Sequence, residues 1–128
     1  MNRVVVTGIG IVSSLGNNQQ EVTDSLYNTK SGISFDEDQK KMGFRSCVSG
    51  QIKIDLENSI ERKFLRFMGD GASYNYLSML EAIKDSNLSE DEISNNKTGL
   101  IMGSGGPSTK SLLRAFDITR EKGPKKIG

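Results

Sequence analysis

The sequence contains no histidine, so a reaction that needs imidazole as base, acid or ligand cannot be completed by these 128 residues. Its one cysteine, Cys47, excludes an internal disulfide and fits a reducing cytoplasm. No run approaches the roughly 18 consecutive apolar residues of a membrane-spanning helix. Met1-Asn2-Arg3 leads straight into a β-branched stretch, so no signal peptide is expected. An excess of one charge is also missing: 17 Lys and Arg stand against 16 Asp and Glu, so any basic partner surface must be local. There is no internal repeat and no low-complexity tract. What is present is an ordinary globular composition, 34% hydrophobic with 14 glycines, at a length suited to one modest domain.

The stretch Arg3 to Gly16 organises the rest. Val4, Val5 and Val6 are β-branched with no polar alternation, the pattern of a strand buried on both faces of an α/β sheet. Gly8 and Gly10 end that strand, and Ser13 to Gly16 form a small-residue turn. Asn17 or Asn18 then caps a helix with Glu21 as capping-box partner, Val22 and Leu26 marking its buried stripe. Ser31-Gly32 supplies the left-handed exit, Ile33 and Phe35 anchor it, and Asp36 to Lys41 read as a mobile charged loop. Phe44 to Ile54 read as a weak, twisted edge strand, and Leu56 to Ile60 as a bridging turn.

The longest helical signal runs from Ile60 through Phe64, Phe67, Met68, Tyr74, Leu77 and Leu80 to Ile83, at spacings of three and four. Gly69 and Gly71 sit inside it; glycine costs about 1 kcal/mol in a helix interior, so a break or a close backbone contact is expected there. Asn87 ends the helix, and Ser89 with Glu92 makes a second capping box. Thr98 to Pro107 read as a second buried strand entering a glycine-rich turn, followed by a helix from Ser108 to Thr119 and a basic, Gly-Pro-broken end.

Three features could carry chemistry. Gly8-Ile9-Gly10 follows a strand and precedes a helix, but Ser13 stands where a dinucleotide fingerprint has its third glycine, and no acidic residue follows at the ribose position. Structural turn glycines compete with nucleotide binding there. Cys47 lacks a histidine partner and a helix N-terminus, which reads as a passive, partly buried thiol. Arg62, Lys63 and Arg66 form a basic cluster, with Phe64 and Phe67 on the opposite face. Spacing alone favours a solvated face; the alternative is a docking patch for an acidic partner, reinforced by Lys122, Lys125 and Lys126.

Four blocks appear in order: Arg3 to Gly16, Lys30 to Ile33, Glu61 to Met68, and Gly99 to Gly106. Together they closely resemble the N-terminal part of the β-ketoacyl-[acyl carrier protein] synthases, the condensing enzymes of bacterial type II fatty-acid synthesis. The Arg62-to-Met68 block and the Gly103-to-Gly106 turn look more like synthase I than synthase II. The resemblance covers essentially the whole chain. It implies an α/β chain forming part of the first half of a thiolase-like αβαβα fold, with residues 1–128 an incomplete N-terminal portion of the N-terminal domain, working as a homodimer. It implies a decarboxylative Claisen condensation of an acyl-enzyme with malonyl-acyl carrier protein, without cofactor or metal.

In the family, the nucleophilic cysteine and both histidines lie downstream of anything present here. Cys47 does not match that nucleophile, so these residues are expected to be an N-terminal fragment, inactive alone. The resemblance assigns Arg62, Lys63 and Arg66 to the surface that receives the acidic helix of acyl carrier protein, and Lys122 and Lys125 to its second part. It places Gly105, Gly106 and Pro107 beside the acyl pocket and the subunit interface, with proline where the family often has glycine. Two other readings stand beside it: an independent binding module for an acidic protein, and a small dinucleotide-binding protein. Two apolar strands without neighbours would also expose unpaired edges, so self-association is expected.

Overall fold

A computed structural model describes residues 3–127. Its elements in chain order are α1 (Gln19–Tyr27), β1 (Ile33–Phe35), α2 (Glu37–Lys41), β2 (Val48–Gly50), α3 (Leu56–Ser59), α4 (Arg62–Leu65), α5 (Asp70–Ser86), α6 (Glu90–Ile93), α7 (Thr109–Lys122) and a closing 3-10 turn, Pro124–Lys126. The chain is therefore mixed helix and strand, with one two-stranded sheet among the described residues.

The helices α1, α6 and α7 start at side-chain caps. Asn18 caps α1, its side chain accepting from Glu21 N. Glu21 in turn reaches the amide of Asn17 rather than that of Asn18, so the expected box is displaced by one residue. α5 begins after Gly69, the expected break, and ends at Asn87 in the left-handed region (φ 54). Ser89 and Glu92 form the expected box at α6, and Ser108 caps α7.

Several expectations are corrected. The buried stripe of α1 is Val22 with Ser25, not Leu26; the Ser25 hydroxyl donates to Leu15 O at 2.8 Å, and Leu26 stands exposed. That helix leaves through Thr29 (φ 51) rather than Gly32, because Lys30 N reaches back to Ser25 O at 2.8 Å and closes the turn earlier. The charged loop is the helix α2, capped by Asp36 through the amides of Asp38 and Gln39. Ile33 and Phe35 belong to β1, which pairs antiparallel with β2, Ser34 opposite Ser49. The edge strand expected between Phe44 and Ile54 is thereby reduced to three residues.

The two expected buried strands do not form. Val4 is 93% exposed and Ile101 is 95% exposed, and both segments lack regular hydrogen bonding. β-branched composition fits a sheet interior, but a strand exists only where a neighbour accepts its ladder. Among the described residues no strand lies beside either run.

The first run does find a neighbour of another kind. Gly8 and Gly10 press against α5 so closely that a Cβ on Gly8 would overlap Ala82 O, and one on Gly10 would overlap Ser78 O. Ser78, Ala82 and Ser86 recur at four-residue spacing, a ridge of small side chains along which the run travels antiparallel to the helix. On the same helix Asp85 and Glu81 accept the amides of Ile9 and Ile11, both at 2.9 Å. Carboxylates thus stand in for a missing strand partner.

Candidate functional site

α4 is one turn long, and Glu61 offers it no side-chain cap. Arg66 N bonds Arg62 O at 3.2 Å, so the two arginines stand one turn apart as the spacing predicts. The chain then tightens, Phe67 N donating to Phe64 O and Met68 N to Leu65 O, before Gly69 redirects it into α5.

The aromatic residues are not on an opposite, buried face. Lys63 Nζ lies 4.7 Å from the centroid of Phe64, and Arg66 Cζ lies 4.4 Å from that of Phe67. Phe64 also meets Tyr76 of α5, ring centroids 6.3 Å apart. The reason is backbone geometry: adjacent positions on a frayed single turn splay together, and an exposed ring is a favourable rest for a cation, worth about 0.5–1 kcal/mol. Lys63 additionally pairs with Glu61 at 2.7 Å; both side chains are exposed, so that pair adds little stability. The result is a cationic ledge on aromatic supports, suited to a carboxylate- or phosphate-bearing surface.

Lys122 and Lys125 are not brought to this ledge by any contact among the described residues. α7 starts beside α5, where a Cβ on Gly69 would lie 3.0 Å from Ser108 Cβ. Fourteen residues of helix carry Lys122 on the order of 20 Å from that junction. Gly123 (φ 81) then turns the chain into the segment holding Lys125.

Gly106 and Pro107 line an open cleft of about 750 Å³ together with Gly69, Asp70, Asn75, Met102 and Lys110. Ser104 Oγ donates to Gly106 O at 2.7 Å and holds the turn, while Gly105 and Gly106 have open space where a Cβ would stand. Lys110 reaches Asp70 at 3.4 Å across the mouth. Cys47 is half-buried, its thiol donating to Phe44 O at 3.4 Å away from any helix N-terminus, as a passive thiol would. Gly8 and Gly10 pack against α5, and the amides of Ile9 and Ile11 beside them already donate to Asp85 and Glu81. Among the described residues no group of three metal-ligating side chains occurs, and no helix is long and apolar enough to cross a membrane.

Three carboxyls are held below their ordinary range by hydrogen bonds to the ionised form: Asp36 by Gln39 N and the Ser49 hydroxyl, Asp55 by Asn58 N and side chain, Glu92 by Ser89 N and hydroxyl. All three are cap residues rather than reaction centres. Glu81 and Asp85 escaped the sequence reading. Their signal was present: two acids four apart, interleaved with the small ridge Ser78, Ala82 and Ser86 on one helix.

Comparison with known proteins shows what the chain is similar to. The chain is 50% identical over its whole length to 3-oxoacyl-[acyl-carrier-protein] synthase 1 of Haemophilus influenzae and 48% identical to that of Escherichia coli, covering 32% of each. It is 30% identical over 98% of its length to 3-oxoacyl-[acyl-carrier-protein] synthase 2 of Vibrio cholerae, covering 30% of that protein, so the synthase 1 likeness is the stronger. It thus spans about a third of the length of these curated relatives. Residues 1–126 match the family described as beta-ketoacyl synthase, N-terminal domain, and the chain belongs to that family.

Proposed function

We propose that this chain forms the N-terminal portion of a fatty-acid-elongating 3-oxoacyl-[acyl carrier protein] synthase, within the first half of a thiolase-like αβαβα fold and in a cytoplasmic homodimer. The observation that carries this is near-half identity along the whole chain to relatives named for that reaction. The chemistry needs a thiolate to hold the acyl group, donors for the thioester oxyanion, and imidazoles to stabilise the enolate left when malonyl loses carbon dioxide. On this reading those roles fall to the part of the relatives that this chain does not span, which the lack of histidine here and the passive setting of Cys47 support.

The share of these residues in the reaction is recognition. Arg62, Lys63 and Arg66 receive the acidic face of the carrier protein, steering its approach and fixing its orientation. Lys122 and Lys125 make a second, more distant contact. Gly105, Gly106 and Pro107 border the space that takes the acyl chain, where small residues let backbone approach an aliphatic ligand.

Residues 1–128 exchanged for the matching third of the Haemophilus influenzae enzyme test the reading. The chimera is expected to dimerise and to condense acyl- and malonyl-carrier protein, with charge reversal at Arg62 and Arg66 raising KM more than it lowers kcat. A folded, dimeric chimera without condensation would overturn it. Carrier binding by this chain alone, with an inactive chimera, would favour an independent docking module.

A further inference from the structure

Glu81 uses both carboxylate oxygens as acceptors: Oε2 takes Ile11 N at 2.9 Å and Oε1 takes Gln19 N at 2.7 Å. The donors belong to different structures, Ile11 to the extended run and Gln19 to the first position of α1. Helix N-termini leave several amides without internal partners. In α1, Asn18 takes Glu21 N and Glu21 takes Asn17 N, which leaves Gln19 N unpartnered within its own segment. A carboxylate from another helix, 62 residues away, fills the vacancy, and its negative charge suits the positive end of the α1 dipole. Asp85, one turn along α5, differs: Oδ2 alone accepts, from Ile9 N at 2.9 Å and Gln19 Nε2 at 3.4 Å.

We propose that Glu81 is a helix cap supplied to α1 by α5, which clasps the Ile11 run and the start of α1 together through both of its carboxylate oxygens, whereas Asp85 holds its run through one oxygen alone. The asymmetry follows from counting acceptors. A carboxamide in place of the Glu81 carboxylate turns one of two occupied acceptors into a donor and leaves one backbone amide without a partner. A carboxamide in place of the Asp85 carboxylate can keep its oxygen at the single occupied position.

Little else charged shares this face. Residues 4–16 contain no ionisable side chain, α1 brings Glu21 and Asp24, and α5 brings Lys84 and Asp85. Lys53 reaches the region through its carbonyl, which accepts from Asn17 Nδ2. Among the described residues no cation lies within ion-pairing distance of Glu81. The clasp therefore depends on the two amides and on no salt bridge.

Amide hydrogen exchange tests the asymmetry. Glu81→Gln keeps one acceptor and turns an NH2 toward the other amide, so exchange at Ile11 or Gln19 is expected to rise about tenfold, the size of one lost hydrogen bond. Asp85→Asn keeps a carbonyl for the single occupied position, and Ile9 exchange is expected to stay within about threefold. Unchanged protection in Glu81→Gln, or equal loss in both variants, would overturn the proposal. Should Glu81→Gln fail to fold, the unsubstituted chain answers by NMR: scalar couplings across the two hydrogen bonds should link the amide nitrogens of both Ile11 and Gln19 to the Glu81 carboxyl carbon. Absence of either coupling also overturns it.

Discussion

Two glycine-punctuated apolar runs, residues 3–12 and 98–107, have the same sequence character and opposite surroundings. The first lies along α5, its glycines against the Ser78, Ala82 and Ser86 ridge and two of its amides held by carboxylates. The second touches almost nothing: a Cβ on Gly99, Gly103, Gly105 or Gly106 would meet no atom within 4 Å. Glycine is used for close approach in one run and for an open turn in the other. Apolar composition does not separate the two uses; a helix with a matching ridge does.

The contrast breaks most sharply at the glycines. Gly10→Ala drives a Cβ into backbone of α5 that cannot yield as a side chain would, and should cost about 3 kcal/mol, the upper range for overpacking. Gly106→Ala fills open space at a position without positive φ and should change stability by less than about 0.5 kcal/mol. Urea unfolding of the two variants compares them directly; equal losses would mean that the α5 contact does not organise the first run.

Both runs nevertheless leave apolar side chains in water, Val4 to Val6 in one and Leu100 and Ile101 in the other. Burying one such side chain between copies is worth about 2 kcal/mol, too little alone, so association needs several of them buried together. Val5→Lys and Ile101→Lys should each raise the monomer fraction in sedimentation, Ile101→Lys more because its segment is the less engaged. A monomer in the unsubstituted chain, unchanged by either lysine, would remove self-association from the description.

The same division shows what was legible. Caps and breaks are local, so Asn18, Gly69, Asn87, Ser89 with Glu92, and Ser108 stand where side-chain chemistry puts them. Strands are not local: Val4 to Val6 carry strand composition, yet pairing depends on what lies alongside. Asp36 was hidden for a different reason. Its cap looked like one more charge in a charged stretch, and the Ser49 hydroxyl that fixes it comes from β2. At the candidate site the cluster Arg62, Lys63 and Arg66 was readable from spacing, whereas the stacking of Lys63 and Arg66 on neighbouring rings was not, because a one-turn helix does not keep faces apart.

The two basic groups repeat the contrast on a smaller scale. Arg66 is held over Phe67, while Lys122 and Lys125 follow the open run and have no ring beneath them among the described residues. A preorganised cation loses less freedom on binding. On the proposed docking reading, Arg66→Glu should weaken acyl carrier protein binding about tenfold, and Lys122→Glu about threefold, with the difference shrinking as salt rises. Fluorescence anisotropy with labelled carrier protein measures both, and a larger effect at Lys122 would reverse the assignment of the primary contact. Ser108 joins the open run to α7 by accepting Ser111 N at 3.3 Å, and Ser108→Ala should cost about 1 kcal/mol in the same urea series. A neutral result there would show that α7 is fixed by its contact with Gly69 instead.

The smallest expected effect is acidic fraying of the short helices. Hydrogen bonds from Gln39 N, Asn58 N and Ser89 N favour the ionised forms of Asp36, Asp55 and Glu92 and hold all three below their ordinary values of 3.8, 3.8 and 4.5. A carboxyl whose folded value is depressed contributes stability that is fully present above the unfolded value and is lost as pH falls through the folded one. The caps of α2, α3 and α6 should therefore hold at about pH 5 and loosen toward about pH 3. α7 begins at an uncharged cap, Ser108, and α5 at Gly69 with no side-chain cap, so neither start has a cap residue to lose by protonation. Amide shifts of Gln39, Asn58 and Ser89 should move across that interval while those of Ser73 and Ser111 stay still. Uniform movement in all five would mean that acid loosens the whole chain rather than its carboxylate caps, and that the short helices are no more separable from α5 and α7 than the two apolar runs are from each other.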